Sequence, residues 1–319
     1  METFAVSAMR TMAILAKPPA MAPTFSLPVF LKDVGELCTT LKAPYSEPII
    51  EKVIKTYGAN FQRGAVLWKA TNRPEDGIAF RFYERETVDV INPAITSGLL
   101  SPDHPLIPLI SSWSALYSNA ISSCDFDPQK GLRKTWIWLG GRRPLDELLN
   151  ADNVPMQIKA LGPKFHAVGL DTVRHAAVDW QSSTINLYFW VNGEIDLEQA
   201  NKLVTLAKSP PITQENLAEI KPYLIPSGFT FAATIKADTG DCKRVSIYAL
   251  RLDGDNLPAL GDRLSAFFKA KSYDQQDVNI VAWSFGGGNA GVANYLKGER
   301  SYTGGLLDVL RGWDSPLMD

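Results

Sequence analysis

The strongest constraint on this chain is that its extended segments arrive in adjacent pairs, with helical patterns between the pairs. Residues 29–42 and 46–57 carry apolar residues at helical spacing. Two extended runs follow, 63–70 (RGAVLWKA) and 77–84 (GIAFRFYE), joined by a polar turn with Asn72 and Pro74. Helical spacing returns over 88–99 and 106–123, and 131–139 (GLRKTWIWL) is extended. Gly140, Gly141, Pro144 and Pro155 break 140–155 into loop or short helical turns. A short helical piece at 163–168 leads to the extended pair 171–179 and 184–192 (TINLYFWVN). Helices at 196–207 and 213–223 lead to another pair, 228–236 and 243–251, hinged on the turn sequence Asp238-Thr239-Gly240. Helix 257–270, extended runs 278–286 and 292–302, and helix 303–311 complete the order. Parallel doubly wound sheets alternate single strands with helices. Adjacent pairs instead suit antiparallel hairpins, and a sheet of about ten such strands tends to curl and close. No linker after residue 27 is long enough to divide the chain. We therefore expect a single domain over 27–319, preceded by a disordered extension over 1–26.

Side-chain parity gives each strand two unlike faces. Ile78, Phe80 and Phe82 oppose Ala79, Arg81 and Tyr83. Thr135, Ile137 and Leu139 oppose Lys134, Trp136 and Trp138. Ile185, Leu187 and Phe189 oppose Thr184, Asn186, Tyr188 and Trp190. Phe229 and Phe231 oppose Thr230, Ala232 and Thr234, and Val245, Ile247 and Ala249 oppose Arg244, Ser246 and Tyr248. The first face is aliphatic or Phe and fits under helices. The second repeats a cation or polar residue followed, in four of the strands, by an aromatic two residues on. On one strand this is an ordinary solvent face; repeated across strands of a closed sheet it lines a lumen. Such a lumen suits a ligand with an anionic head and an apolar or aromatic body.

Composition removes several other classes. A net charge of −2 gives no basic field for nucleic acid, and no apolar run is long enough to span a membrane. Cys38, Cys124 and Cys242 are odd in number and far apart, which fits free thiols in a cytoplasmic protein. In residues 1–24, Glu2 precedes the apolar run, unlike a secretory leader. His104, His166 and His175 are the three histidines; no G-x-S-x-G elbow, metal-ligand spacing or aspartate-rich magnesium motif accompanies them. The run Gly286–Gly291 lacks the Lys of a phosphate loop and reads as a tight turn. The chemistry then rests on strand cations: Arg81, Lys134, Arg244, Lys69 and Lys297. Buried, they need an anion, and a diphosphate fits.

The segments RKTWIWL (133–139), VRHAAVDWQSSTINLYFWV (173–191), DTGDCKRVSIYAL (238–250) and TGGLLDVLRGWDS (303–315) resemble the soluble ABBA-type aromatic prenyltransferases. The likeness is to the bacterial and fungal branch of secondary metabolism acting on phenols and dihydroxynaphthalenes, and it runs over most of 40–316. It implies an α+β fold, an antiparallel ten-stranded barrel ringed by helices in repeated ααββ units, with the reaction in the lumen. It implies two substrates, dimethylallyl diphosphate and a small aromatic acceptor, and a monomer that binds neither nucleic acid nor membrane.

By position in the resemblance, Lys134, Asn186, Arg244 and Lys297 match diphosphate-binding residues, with Tyr295 an alternative match for the last. Trp136 and Tyr188 match the aromatics flanking the isoprenoid and acceptor. Thr230 and Arg174 match acceptor-pocket positions, and Tyr248 lies on the same face. Arg81 stands where a magnesium-dependent member has an Asp ligand. The resemblance thus implies that no divalent metal is required, with Arg81 supplying positive charge to the diphosphate. Ala232 replaces a diphosphate-contacting Tyr of some members. Lys134 and Arg244 are expected to assist departure of the diphosphate, and Glu299, water or the diphosphate to take the ring proton. Large Trp138 and Trp190 favour a five-carbon donor. A non-catalytic binder of amphipathic aromatic anions would use the same lumen and is the alternative.

Overall fold

The first and last strands pair with each other, so the sheet has no open edge. This is seen in a computed structural model that describes residues 25–286 and 295–313. Among these residues the strands are β1 (Ala65–Thr71), β2 (Ala79–Tyr83), β3 (Ile121–Asp127), β4 (Gly131–Pro144), β5 (Thr172–Asp179), β6 (Thr184–Asn192), β7 (Gly228–Lys236), β8 (Cys242–Leu252), β9 (Asn279–Phe285) and β10 (Tyr295–Thr303). Each pairs antiparallel with its neighbour in sequence, and β1 closes on β10 with Lys69 opposite Glu299. The result is a closed ten-stranded barrel. The residues 1–24 and most of the Gly286–Gly291 run lie outside the described part.

Helices α1 (Leu27–Leu41), α2 (Glu47–Arg63), α3 (Ile91–Thr96), α4 (Ile107–Ala115), α5 (Leu145–Asn150), α6 (Met156–Lys159), α7 (Gly162–His166), α8 (Leu197–Thr205), α9 (Gln214–Ile220), α10 (Gly261–Phe267) and α11 (Leu306–Gly312) accompany the strands. Asp196 and Thr213 cap α8 and α9 by accepting from the backbone N–H groups of Gln199 and Asn216. The principal core lies between helices and the outer barrel face. Phe30, Val34 and Leu37 of α1 and Ile50, Val53 and Phe61 of α2 pack there with Trp68, Phe80, Phe82 and Phe126. Packing begins at Phe25, whose ring lies 5.1 Å from Phe30 and 5.2 Å from Phe61. At Gly298 the barrel wall comes close to the end of α10: a Cβ there would sit 2.9 Å from the Phe268 ring.

A second cluster fills the lumen. Leu67, Trp136, Trp138, Tyr188, Tyr248 and Ile280 meet α11, which closes one end of the barrel with Leu306, Leu310 and Trp313. The inner and outer faces therefore divide as parity predicts. Three boundaries differ. The helical pattern read over 106–123 ends at Ala115, and Ile121–Asp127 is a strand. The stretch read as broken from Gly140 continues β4 to Pro144, across a register shift opposite β5, before α5. The helix read over 88–99 is the single turn and a half of α3.

Candidate active site

The lumen holds two cavities of opposite character. The first, about 270 Å³, lies at the polar end, and its lining includes Lys69, Lys134, Asn186, Thr234, Arg244 and Lys297. The second, about 80 Å³, is lined mainly by Tyr83, Trp136, Tyr188, Thr230, Tyr248 and Trp313, with Arg81, Arg174, His175 and Glu299 among them. Tyr188 and Tyr248 line both, so the cavities adjoin across these two rings, whose centroids are 6.1 Å apart. Apart from Trp313, which follows α11, these residues occupy strand positions, and nearly all have inward parity. Arg174 is the exception: the β5–β6 register shifts between Val173 and His175, and both Arg174 and His175 line the aromatic cavity.

Lys134, Asn186, Arg244 and Lys297 come together as the sequence led us to expect, on β4, β6, β8 and β10. Asn186 Oδ1 accepts from Thr234 Oγ1 at 2.8 Å and Lys134 Nζ at 3.5 Å, which aims its amide nitrogen away from both. That nitrogen, Nδ2, and Arg244 Nε are buried without a hydrogen-bond partner. Lys297 Nζ donates to Ser246 Oγ at 2.8 Å, and Ser246 lies 2.9 Å from Ser284 Oγ. Burial pushes Lys297 well below the ordinary lysine range, reinforced by Arg244. Burial pushes Lys134 down to about 7, against the opposing pull of Asp179 at 3.6 Å. Cations held at this cost, beside donors that lack acceptors, form a receptor for a polyanion. Tyr295 also lines this cavity, with its ring centroid 5.6 Å from Lys297 Nζ, so both proposed matches at this position face inward. Ala232 leaves a wall without a polar tip.

Arg81 is placed otherwise than expected. Its guanidinium lies in the aromatic cavity, not the cationic one. Nε and Nη2 donate to the Asp125 carboxylate, the latter at 3.1 Å, and Nη1 donates to Glu299 Oε2 at 3.0 Å. Lys69 Nζ stands 3.7 Å from Asp125 and 3.8 Å from Glu299. Two cations and two carboxylates thus form a closed, neutral cluster across β1, β2, β3 and β10. Burial opposes the charge on Arg81, but Asp125 and Glu299 outweigh it and raise its pKa further. Burial would likewise raise Asp125, but Arg81 and Lys69 hold it well below the usual carboxylate range. A guanidinium so satisfied has little charge to offer a diphosphate, and we correct the expectation of Arg81 as a diphosphate ligand on that ground. It also lies 4.3 Å from the Trp136 ring centroid, so this guanidinium already covers part of an indole expected to flank the isoprenoid.

The remaining acceptor-side residues, Trp136, Tyr188, Arg174, Thr230 and Tyr248, do line the aromatic cavity. Burial pushes His175 down to about 3, with Arg174 acting in the same direction, so its imidazole is neutral. The sequence reading missed Asp125, Asp179 and Trp313. Asp125 falls in 124–130, which carries no predicted element because the helical pattern over 106–123 overruns the start of β3. Trp313 had a signal, since Leu306, Leu310 and Trp313 recur at helical spacing.

A family model described as "Aromatic prenyltransferase Orf2" matches residues 25–314. The chain belongs to this family. An aromatic prenyltransferase of Talaromyces marneffei is 59% identical over 294 residues, covering 92% of this chain and 80% of the relative. One from Sclerotinia sclerotiorum is 42% identical, covering 92% and 96%. A Streptomyces niveus relative named 4-hydroxyphenylpyruvate 3-dimethylallyltransferase is 35% identical, covering 89% and 87%. Among solved structures, NotF in complex with brevianamide F and DMSPP superposes with a TM-score of 0.50 at 11% identity, covering 85% of this chain and 93% of that one. The last likeness bears on the barrel fold alone. The aromatic prenyltransferase family makes the chain a transferase of prenyl groups, which decides against the non-catalytic binder.

Proposed function

We propose that this aromatic prenyltransferase transfers a dimethylallyl group from dimethylallyl diphosphate to a small hydroxylated aromatic, a phenol or dihydroxynaphthalene, without a divalent metal. The observation that carries the reading is the junction at Tyr188 and Tyr248, where a cationic cavity opens onto an aromatic one. The diphosphate lies among Lys134, Asn186, Arg244 and Lys297. Arg244 Nε and Asn186 Nδ2 supply hydrogen bonds to its oxygens. As the allylic C–O bond breaks, the bonding pair leaves with the diphosphate, and these donors meet the growing negative charge. The five-carbon cation passes between the Tyr188 and Tyr248 rings, which stabilise it and exclude water. The electron-rich ring of the acceptor forms the new C–C bond. Its displaced proton leaves to Glu299, to water or to the diphosphate; Glu299 is the carboxylate that lines the acceptor cavity.

Two features support a reaction without metal. Lys134, Arg244 and Lys297 place three side-chain cations around the cavity for the anion. The lumen carboxylates Asp125 and Glu299 are engaged by Arg81. Purified protein given dimethylallyl diphosphate and a panel of phenols and dihydroxynaphthalenes, with EDTA present, should form a C-prenylated product. No product from any acceptor, with or without magnesium, would sink the reading; turnover only with added magnesium would remove its metal-independent part.

A further inference from the structure

We infer that Lys69 carries the proton of this reaction between the two cavities: its ammonium protonates the departing diphosphate, and Glu299 returns to it the proton lost by the acceptor ring. The inference rests on the proposed reaction and names its proton path. The two residues face each other where the barrel closes, Lys69 on β1 opposite Glu299 on β10. Glu299 lines the aromatic cavity and Lys69 the cationic one, so the pair spans the wall between them. Lys69 Nζ stands 3.8 Å from Glu299 Oε1. Among the described residues, none that lines the aromatic cavity is exposed, whereas exposed Glu75 and Lys130 stand at the cationic one. A proton released at the acceptor therefore needs an internal route, and a buried carboxylate alone offers it no exit.

The charge cluster fastens its other cation and leaves this one loose. Arg81 donates hydrogen bonds to both Asp125 and Glu299. Lys69 lies 3.7 and 3.8 Å from the same carboxylates, ion-paired with each but beyond hydrogen-bond length. An ammonium on a flexible four-carbon stem closes such a gap by small rotations. Burial lowers the Lys69 pKa, against the pull of Asp125 and Glu299, which makes it a readier acid than an exposed lysine. The protons balance. As the allylic C–O bond breaks, Lys69 gives one N–H proton to a diphosphate oxygen and becomes a neutral amine. Formation of the C–C bond leaves the attacked ring carbon with its hydrogen still attached. The electron pair of that C–H bond restores the aromatic ring as the proton passes to Glu299. Glu299 then hands the proton to the Lys69 amine. A protonated Glu299 leaves the Arg81 guanidinium one counterion short, which favours this last transfer. Both side chains end as they began, and the diphosphate leaves with one proton for the one the ring has lost.

The test follows the ring proton in wild type, Lys69→Arg and Lys69→Met, each given dimethylallyl diphosphate and an accepted phenol or dihydroxynaphthalene with hydrogen or deuterium on the ring. Arginine keeps the positive charge, but its guanidinium does not give up a proton. Both variants should lose on the order of 10²-fold in kcat, the scale of general acid–base catalysis. Both should also show a larger kinetic isotope effect from ring deuterium than wild type, because proton loss becomes slow. Inorganic pyrophosphate should bind Lys69→Arg as it binds wild type, since Lys134, Arg244 and Lys297 hold the anion. A merely structural or electrostatic role predicts instead that arginine rescues both kcat and the isotope effect. If Lys69→Met fails to fold, Lys69→Arg alone decides. Rescue by arginine, or an isotope effect that does not grow in a folded variant, would overturn the inference and leave the proposed function standing. A wild type that turns over no acceptor would remove both.

Discussion

Two groups of cations line the same barrel, and they are built on opposite principles. Arg81 and Lys69 face Asp125 and Glu299, so four charges cancel inside the protein. Arg244 and Lys297 face a cavity, and among the described residues their hydrogen-bonding capacity is only partly used. Protein-built counterions make the first group a structural brace between strands. The second group stores unfavourable desolvation that a polyanion relieves on binding. A lysine or arginine in a lumen is thus not by itself a substrate ligand; the carboxylates around it decide.

The largest expected effect breaks the brace. Arg81→Met removes the guanidinium and leaves two buried carboxylates with Lys69 as their remaining near cation. Unfolding free energy should fall by about 3–5 kcal/mol, the cost of breaking a buried ion pair from one side. Chemical denaturation reads this directly, and a loss under about 1 kcal/mol would mean that the cluster is solvated and Arg81 is available to substrate after all. The next effect falls on the other group. Arg244→Ala should lower kcat by about 10²–10³, as removal of a donor to a developing anion does. Its stability should hold or rise, because a half-buried cation with an unsatisfied, buried Nε is lost. A variant that loses stability and keeps its turnover would exchange the roles of the two groups.

The contrast also explains what the sequence could and could not show. Strand parity alone placed Lys134, Trp136, Asn186, Tyr188, Arg244 and Tyr248 on one face, because period-two alternation survives in β4, β6 and β8. The closure of the barrel followed from paired strands. The charge balance did not follow, because one missed strand carried its decisive residue. In β3 the outward residues include Ser122 beside Cys124 and Phe126, so its apolar face is interrupted just where a helix pattern runs in from 106. With the start of β3 read as helix and 124–130 unassigned, Asp125 has no place in the lumen and Arg81 looks uncompensated. Long-range pairing of Arg81 with Glu299, 218 residues apart, is set by barrel closure and has no local signature. The bulge at Arg174 is likewise a register event between β5 and β6 that parity alone would misassign.

The smallest expected effect sharpens the comparison through pH. Burial holds Lys134 at about 7, whereas the same lysine in the unfolded chain titrates near 10.5. Between these values the unfolded state carries the proton and the folded state does not, so this group makes stability rise as pH increases from about 7 toward 10.5. Below 7 both states are protonated, and the full penalty of the buried charge is present. Lys134→Met should therefore stabilise the protein most at pH 6, with the gain shrinking as pH rises. Anion binding has the opposite sign. It needs the ammonium, so wild-type affinity for inorganic pyrophosphate should weaken above about 7 relative to Lys134→Arg, whose charge persists. Taking the ratio of the two affinities cancels the ionisation of pyrophosphate itself. The ratio should fall by up to ~10-fold per pH unit, the slope for uptake of one proton. A flat ratio from pH 6 to 9 would place Lys134 with the braced cations, its charge fixed by Asp179 rather than by the anion.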